Sequence, residues 1–298
     1  MTENREYIKM SPERIHHETY TRVVLERLKR DKGAVVGCII VFSIVICAIF
    51  APYMTPYDPL KHNYNKLLFP PSLSHPFGAD QYGRDLLTRI IFGCRYAIII
   101  GGAVVAIQLL IGVTLGLIAG YYGGVIESII MRMTDVMLSI PSIVLAVSIA
   151  GLLGGGIQNV IIAVAAVGWR GYTRLVWSEV LSIKKETYVE AARAIGCGDL
   201  RIVLRHILPH TLASVIAYSS ISIAIAILWA AALSFLGLGA QPPTPEWGAM
   251  LADGRDFMSD AWWIATFPGL AIMITVLGFN FFGDALRDAL DPKMERVL

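Results

Sequence analysis

Residues 33–57 contain no charged side chain. A continuous apolar helix of about 20 residues is what a hydrocarbon core requires, so this run commits the chain to a bilayer. The remainder of the sequence agrees. It is 55% hydrophobic and only 16% charged, with a mean hydropathy of +0.61, which places it with integral membrane proteins and away from soluble domains. The net charge of +2 gives no electrostatic reason to expect nucleic acid. Cys38, Cys47, Cys94 and Cys197 lack CxxC spacing and are read as small apolar residues.

The polar segments sort the apolar ones. The basic residues from Arg5 to Lys32 hold the amino terminus in the cytoplasm. Val23, Val24, Leu25 and Leu28 among them suggest an amphipathic segment on lipid, so residues 1–33 form one region. Apolar runs at 33–50, 96–118, 136–153, 157–177, 211–235 and 261–282 predict six transmembrane helices, with both termini cytoplasmic. Pro141 lies inside the third. Segments 53–93 and 237–260 are too rich in proline and polar groups to cross hydrocarbon, where each backbone group needs an internal partner. They are expected outside, with 242–247 open to the exterior. Within the first, Leu86, Leu87, Ile90 and Ile91 alternate with Arg84, Asp85 and Arg89 as on an amphipathic helix lying along the outer interface. Residues 125–135 are expected as a short charged turn, 34–93 as the first span plus an extracytoplasmic loop, 94–283 as a core of five spans, and 284–298 as a cytoplasmic tail. Arg170 and Arg174, close to the inner end of the fourth span, are expected to snorkel to lipid headgroups.

Residues 178–210 are a charged island between two apolar blocks. Residues 187–195 are good helix formers, Gly196 and Gly198 interrupt them, and Asp199 is placed to cap a second helix ending near Pro209. Ala191 and Ala192 keep the first helix low in profile, so a second protein can approach its backbone. Lys184, Lys185, Arg193, Arg201 and Arg205 favour a cytoplasmic position. The island has the character of a docking element.

Glu190-Ala191-Ala192, then Gly196 after three residues, then a segment closing on Leu208-Pro209 resembles the EAA loop of permease subunits in binding-protein-dependent ABC importers. The RHILP ending, HPFGADQYGRDLLTRIIFG at 75–93, SFLGLG and PPTPEWGAML within 234–251, and GDALRDALDP at 283–292 look like the dipeptide, oligopeptide and nickel branch. The resemblance implies an all-α integral membrane protein with the six-helix bundle of a type I ABC importer permease. It implies a bacterial or archaeal cytoplasmic membrane, a homologous permease as heterodimer partner, two cytoplasmic ATPase subunits and an extracytoplasmic solute-binding protein. Glu190, Ala191, Ala192, Gly196, Leu208 and Pro209 match the family's ATPase-coupling positions. ATP and Mg²⁺ would sit on the partner subunits, and this chain would need no cofactor of its own. The expected cargo is a dipeptide or oligopeptide, with nickel or a metal chelate as the alternative.

The chain's other chemistry is sparse. There is no GxxxxGK[ST], HExxH or GxSxG, so neither phosphate cradling nor a familiar hydrolytic constellation is legible. The predicted spans carry few ionisable residues, which disfavours a self-contained ion-coupled carrier. His206 and His210 are four apart, but Pro209, expected in a loop, separates them. A secondary transporter and a membrane enzyme are the competing classes; the first would need an ion site and the second a catalytic cluster.

Overall fold

The computed structural model describes residues 31–290 together with Leu28 and Lys29. The expected amphipathic amino-terminal segment and the basic residues Lys293 and Arg296 lie outside the described residues. The described chain is helical, its one β-type contact being an isolated antiparallel bridge between Ala79 and Asp85. Helix α1 is Lys32–Met54, α2 Leu86–Tyr122, α3 Gly124–Ser139, α4 Ser142–Leu153 and α5 Ile157–Ile183. Helices α6, Thr187–Ala194, and α7, Asp199–Ile202, make up the island. A π-helical turn at Val203–Ile207 joins α7 to α8, Leu208–Phe235. Two more helices follow, α9 at Trp247–Arg255 and α10 at Trp263–Leu290.

Lys32–Met54, Leu86–Tyr122, Asp199–Phe235 and Trp263–Leu290 are long and apolar enough to cross a membrane. The expected third span is not straight: α3 and α4 meet at 91°, and only when taken together do they supply a fifth. The reason is local. Ile140 is extended, with φ −93° and ψ 130°, as a residue preceding proline prefers, and Pro141 has no N–H with which to continue the helix. The expected turn at 125–135 is accordingly helix rather than loop. Helix α5, 27 residues long, has the length of a span. It falls short in apolarity because it carries Arg170, enclosed by its neighbours, together with the exposed Arg174 and the half-buried Glu179. By length and apolarity, four helices and one bent pair qualify as spans among the described residues, and α5, which has the length of a sixth, packs among them.

The expected amphipathic helix before the second span also differs. It is continuous with that span: α2 runs unbroken for 37 residues, and Arg89 in its first turns is fully buried. Asp85 caps its start, its carboxylate accepting from the Thr88 N–H at 2.8 Å.

The most extensive helix pair is α2 with α5. A Cβ added at Gly112 would lie 2.5 Å from the Trp169 carbonyl oxygen, one at Gly116 2.8 Å from that of Thr173, and one at Gly120 2.6 Å from Val180 Cβ. Residues spaced by four on one face thus let the two backbones approach. Tyr172, Val176 and Val180 of α5 fill the groove together with Leu117, and this apolar cluster continues into the island through Val189, Ala192, Ile202 and Ile207. A second cluster joins α2, α4, α5 and α8, and a third packs α1, α9 and α10 around Trp247 and Trp263.

Gly116→Leu is expected to lower the melting temperature of the detergent-purified protein, since overpacking a tight core costs about 1–3 kcal/mol. Gly102→Leu, where an added Cβ meets nothing within 4 Å, is the matched control. Equal melting temperatures for the two variants would rule out the close α2–α5 contact.

Candidate functional site

The island folds back on itself through one turn. At the end of α6 the Gly196 N–H donates to the Arg193 carbonyl at 3.0 Å and the Cys197 N–H to that of Ala192 at 3.1 Å. This is the double bond pattern of a Schellman cap. It requires a left-handed residue, and Gly196 has φ +82° with open space around its Cα. Gly198, not the expected Asp199, is the N-cap of α7. Asp199 instead accepts the Tyr121 hydroxyl hydrogen at 2.6 Å.

That hydrogen bond is one of three ties between the island and the end of α2. The Arg193 guanidinium stands over the Tyr121 ring at 5.8 Å, and Lys184 Nζ donates to the Gly120 carbonyl at 2.8 Å. A lysine on the last carbonyls of a helix meets both an unpaired acceptor and the negative end of its dipole. Tyr188 stacks on His210 with ring centroids 5.3 Å apart. Burial, with the Glu186 carboxylate adding to it, holds the Tyr188 hydroxyl above its usual range.

The motif residues divide between two faces. Val189 and Ala192 of α6 point inward with Ile202 and Ile207, so Ala192 belongs to the protein's own core. Glu190, Ala191, Ala194 and Gly196 are exposed. Beside them Ile195 is 81% exposed, Leu200 72% and Leu204 50%. Leu208 is half-buried against the core, and Pro209 is exposed in the first turn of α8 rather than in a loop. His210 Nδ1 lies 2.9 Å from the His206 carbonyl of its own helix. The apolar patch of Ile195, Leu200 and Leu204 was missed in the sequence because residues between charges do not look like a surface.

The opposite end of α2 carries a buried polar cluster, also missed. Arg84 Nε donates to Asp80 Oδ2 at 2.6 Å, and Arg89 Nε lies 3.4 Å from the same oxygen. Arg89 Nη1 reaches the carbonyls of Pro59 at 2.9 Å and Pro243 at 3.2 Å. One buried guanidinium thus fastens both long connecting segments to α2. His75 donates from Nδ1 to Asp85 Oδ1 at 2.7 Å and accepts from Lys66 Nζ at its other nitrogen, 2.9 Å away. Only Pro242 and Pro243 of the expected open stretch are exposed; Thr244 is half-buried, and Glu246 and Trp247 are buried. Glu246 caps α9 by accepting from the Gly248 and Ala249 amides. Burial pushes its carboxyl upward against the pull of those two donors. The four-residue spacing of Asp80 and Arg84 was the one available signal for this cluster.

Arg170 does not snorkel. It is 6% exposed and donates to the Met137 carbonyl and to Ser142 Oγ. Arg174, by contrast, is exposed and pairs with Asp135 at 2.7 Å. Among the described residues no group of three or more His, Cys, Asp or Glu side chains is gathered as for a metal.

Residues 112–296 match the family described as binding-protein-dependent transport system inner membrane component, and residues 19–71 match the N-terminal TM domain of oligopeptide transport permease C. The chain is 48% identical over 274 residues to a dipeptide transport system permease protein, DppC, of Alkalihalophilus pseudofirmus, covering 92% of this chain and 90% of that protein. It is 45% identical to a glutathione transport system permease protein, GsiD, of Pectobacterium atrosepticum, covering 90% of each. Among solved structures, the MetNI methionine ABC transporter in an inward-facing conformation superposes with a TM-score of 0.57 at 19% identity, covering 69% of this chain and 98% of that one. At that identity the likeness is one of fold.

Arg89→Ala is expected to destabilise the chain by about 1–3 kcal/mol, because it leaves the Pro59 and Pro243 carbonyls without their donor while Asp80 keeps Arg84. Limited proteolysis at segments 55–75 and 237–245 should accelerate markedly. Unchanged cleavage there would show that Arg89 does not fasten them.

Proposed function

The chain belongs to the binding-protein-dependent transport inner membrane component family, and on that premise we propose how its exposed island serves import. The protein is a permease subunit of an ABC importer of the peptide branch. The dipeptide and glutathione permeases to which it is similar support short peptides as cargo over nickel or a metal chelate. Energy is supplied by separate cytoplasmic ATPase subunits, on which ATP and Mg²⁺ reside. A homologous permease completes the pore, and a solute-binding protein delivers the peptide to the outer face. Both termini are cytoplasmic.

The observation that carries the docking role is the exposed face of the island. Glu190, Ala191, Ala194 and Gly196 present a shallow surface, and Ile195, Leu200 and Leu204 give it apolar side chains that stand half or more exposed among the described residues. A patch of that kind beside polar residues suits a protein interface. Helix α6 is only eight residues long, below the length at which an isolated helix is stable in water. Its inward residues and its ties to Tyr121 and Gly120 hold it, so it can take a load without unfolding. Closure of the ATPase dimer around ATP would move two such docked islands together and tilt the spans attached to them, exchanging inward and outward access. Glu190 offers a polar contact on the exposed face, Ala191 close approach, and Gly196 the reversal. Ala192 and Leu208 seat the loop on the bundle, and Pro209 starts α8.

Ile195→Asp and Leu200→Asp are expected to abolish co-purification with the ATPase subunit while changing the chain's own stability by no more than about 0.5 kcal/mol, as surface substitutions do. Gly196→Trp should preserve membrane insertion and lose ATP-driven uptake of a labelled dipeptide in proteoliposomes. Wild-type ATPase recovery and uptake in all three variants would remove the island from the coupling path. For the orientation, a cysteine at the fully exposed Leu73 should react with an impermeant maleimide from outside sealed cells. Reaction only after permeabilisation would invert the topology.

A further inference from the structure

Helix α3 is attached to the bundle in an unusual way. Of its 16 residues only Thr134 is buried. Val125, Ile129, Met133 and Val136 are 75%, 56%, 57% and 65% exposed, so this apolar face joins no core cluster among the described residues. Its hold on α5 is polar, through three contacts that run antiparallel along the two helices. Trp177 Nε1 donates to Glu127 Oε1 at 2.8 Å, Arg174 pairs with Asp135 at 2.7 Å, and Arg170 donates to the Met137 carbonyl. The donors occupy positions 170, 174 and 177, one face of α5.

The last contact has a specific origin. Met137 lies four residues before Pro141, so its carbonyl is the one whose helical donor proline removes. In a hydrocarbon setting that acceptor must be satisfied, and Arg170 satisfies it. The cation also sits at the negative end of the α3 dipole. Its second donor group takes Ser142 Oγ, in the first turn of α4. One guanidinium therefore bridges both sides of the 91° bend, a role that its planar, forked donors fill better than an ammonium. The same α5 runs on, past Val180 and Ile183, into the island.

We propose that Arg170, Arg174 and Trp177 link the island to the bent pair, so that displacement of α5 swings α3 about the Ile140–Pro141 break, with Arg170 as the positioning residue that holds the bend. Directional hydrogen bonds fit such a link, since they can lengthen, break and re-form while α3 moves, without opening a packed apolar core. Bistable elements of this kind convert a small shift into a discrete one. The inference rests on the reading of the island as the ATPase docking element, because the displacement of α5 has to originate there.

The test uses the full importer in proteoliposomes, with partner permease, ATPases and binding protein, and reads three quantities: recovery of the ATPase with the permease, ATP hydrolysed, and labelled dipeptide taken up. Arg170→Gln is expected to keep ATPase recovery and hydrolysis but to reduce uptake per ATP about tenfold, inside the 5–150-fold range typical of coupling between sites. Arg170→Lys should recover part of that loss. Arg174→Asp and Asp135→Arg should each lower uptake per ATP, and the two combined should restore it. This exchange decides the matter even if Arg170→Gln does not fold. Spin labels at Val125 and Ser182 should report a distance that changes between nucleotide-free and ATP-bound states in the wild type. Wild-type uptake per ATP in Arg170→Gln and in both single charge reversals would overturn the proposal, as would a label distance that does not change with nucleotide. Failure of the wild-type chain to retain the ATPase at all would instead refute the docking reading, and that readout is separate from the other two.

Discussion

Helices α2 and α5 touch at backbone distance over Gly112, Gly116 and Gly120, and both ends of the molecule are built on this contact. At one end α2 starts among Asp80, Arg84 and Arg89, which fasten the long connecting segments. At the other, the Gly120 carbonyl and the Tyr121 hydroxyl receive the island that α5 feeds into. With Cβ atoms at the three glycines the helices would stand apart. The inward residues Val189, Ala192, Ile202 and Ile207 would then lose the core cluster that seats the island. A tight pair in a bilayer depends on van der Waals contact more than on exclusion of water, so a small change in side-chain volume has effects along the whole pair.

Several polar groups inside the bundle are placed where a backbone group or another side chain needs them. Gln108, buried in α2, donates to the Val164 carbonyl of α5 at 3.2 Å. Tyr172 donates to Ser219 across α5 and α8. Arg170 supplies the donor that Pro141 withholds. The serines at 219, 220 and 222 of α8 bond back to carbonyls four residues earlier in their own helix, so they need no partner from a neighbour. Glu127, Asp135, Arg170 and Arg174 tie α3 to α5.

The island combines a rigid inner face with an adaptable outer one, which suits a part that receives force from another protein. Its Schellman turn, its ties to α2 and its share of the core hold its geometry. Its exposed isoleucine and leucines remain free to bury against a partner. Under the docking role proposed above, binding energy goes into movement, because little of it is spent on ordering the loop.

Much of this was legible in the linear chain. Apolar runs located the membrane helices, since hydrocarbon admits few alternatives. Proline-rich polar stretches marked the connecting segments, and the glycines of the island marked its turn, since Gly196 adopts a backbone conformation that other residues resist. The EAA pattern pointed to the family. What the sequence could not determine were matters of partnership between distant residues. Arg170 looks the same in one dimension whether it reaches lipid headgroups or the carbonyl freed at Pro141. Ala191 and Ala192 are indistinguishable until helix α6 is rotated against Val176 and Ile202. Arg84 and Arg89 read as the polar face of an amphipathic helix until Pro59 and Pro243 close over them. Sequence periodicity determines which residues share a face; only tertiary packing decides what that face meets, because burial and hydrogen-bond satisfaction are set by neighbours far away along the chain.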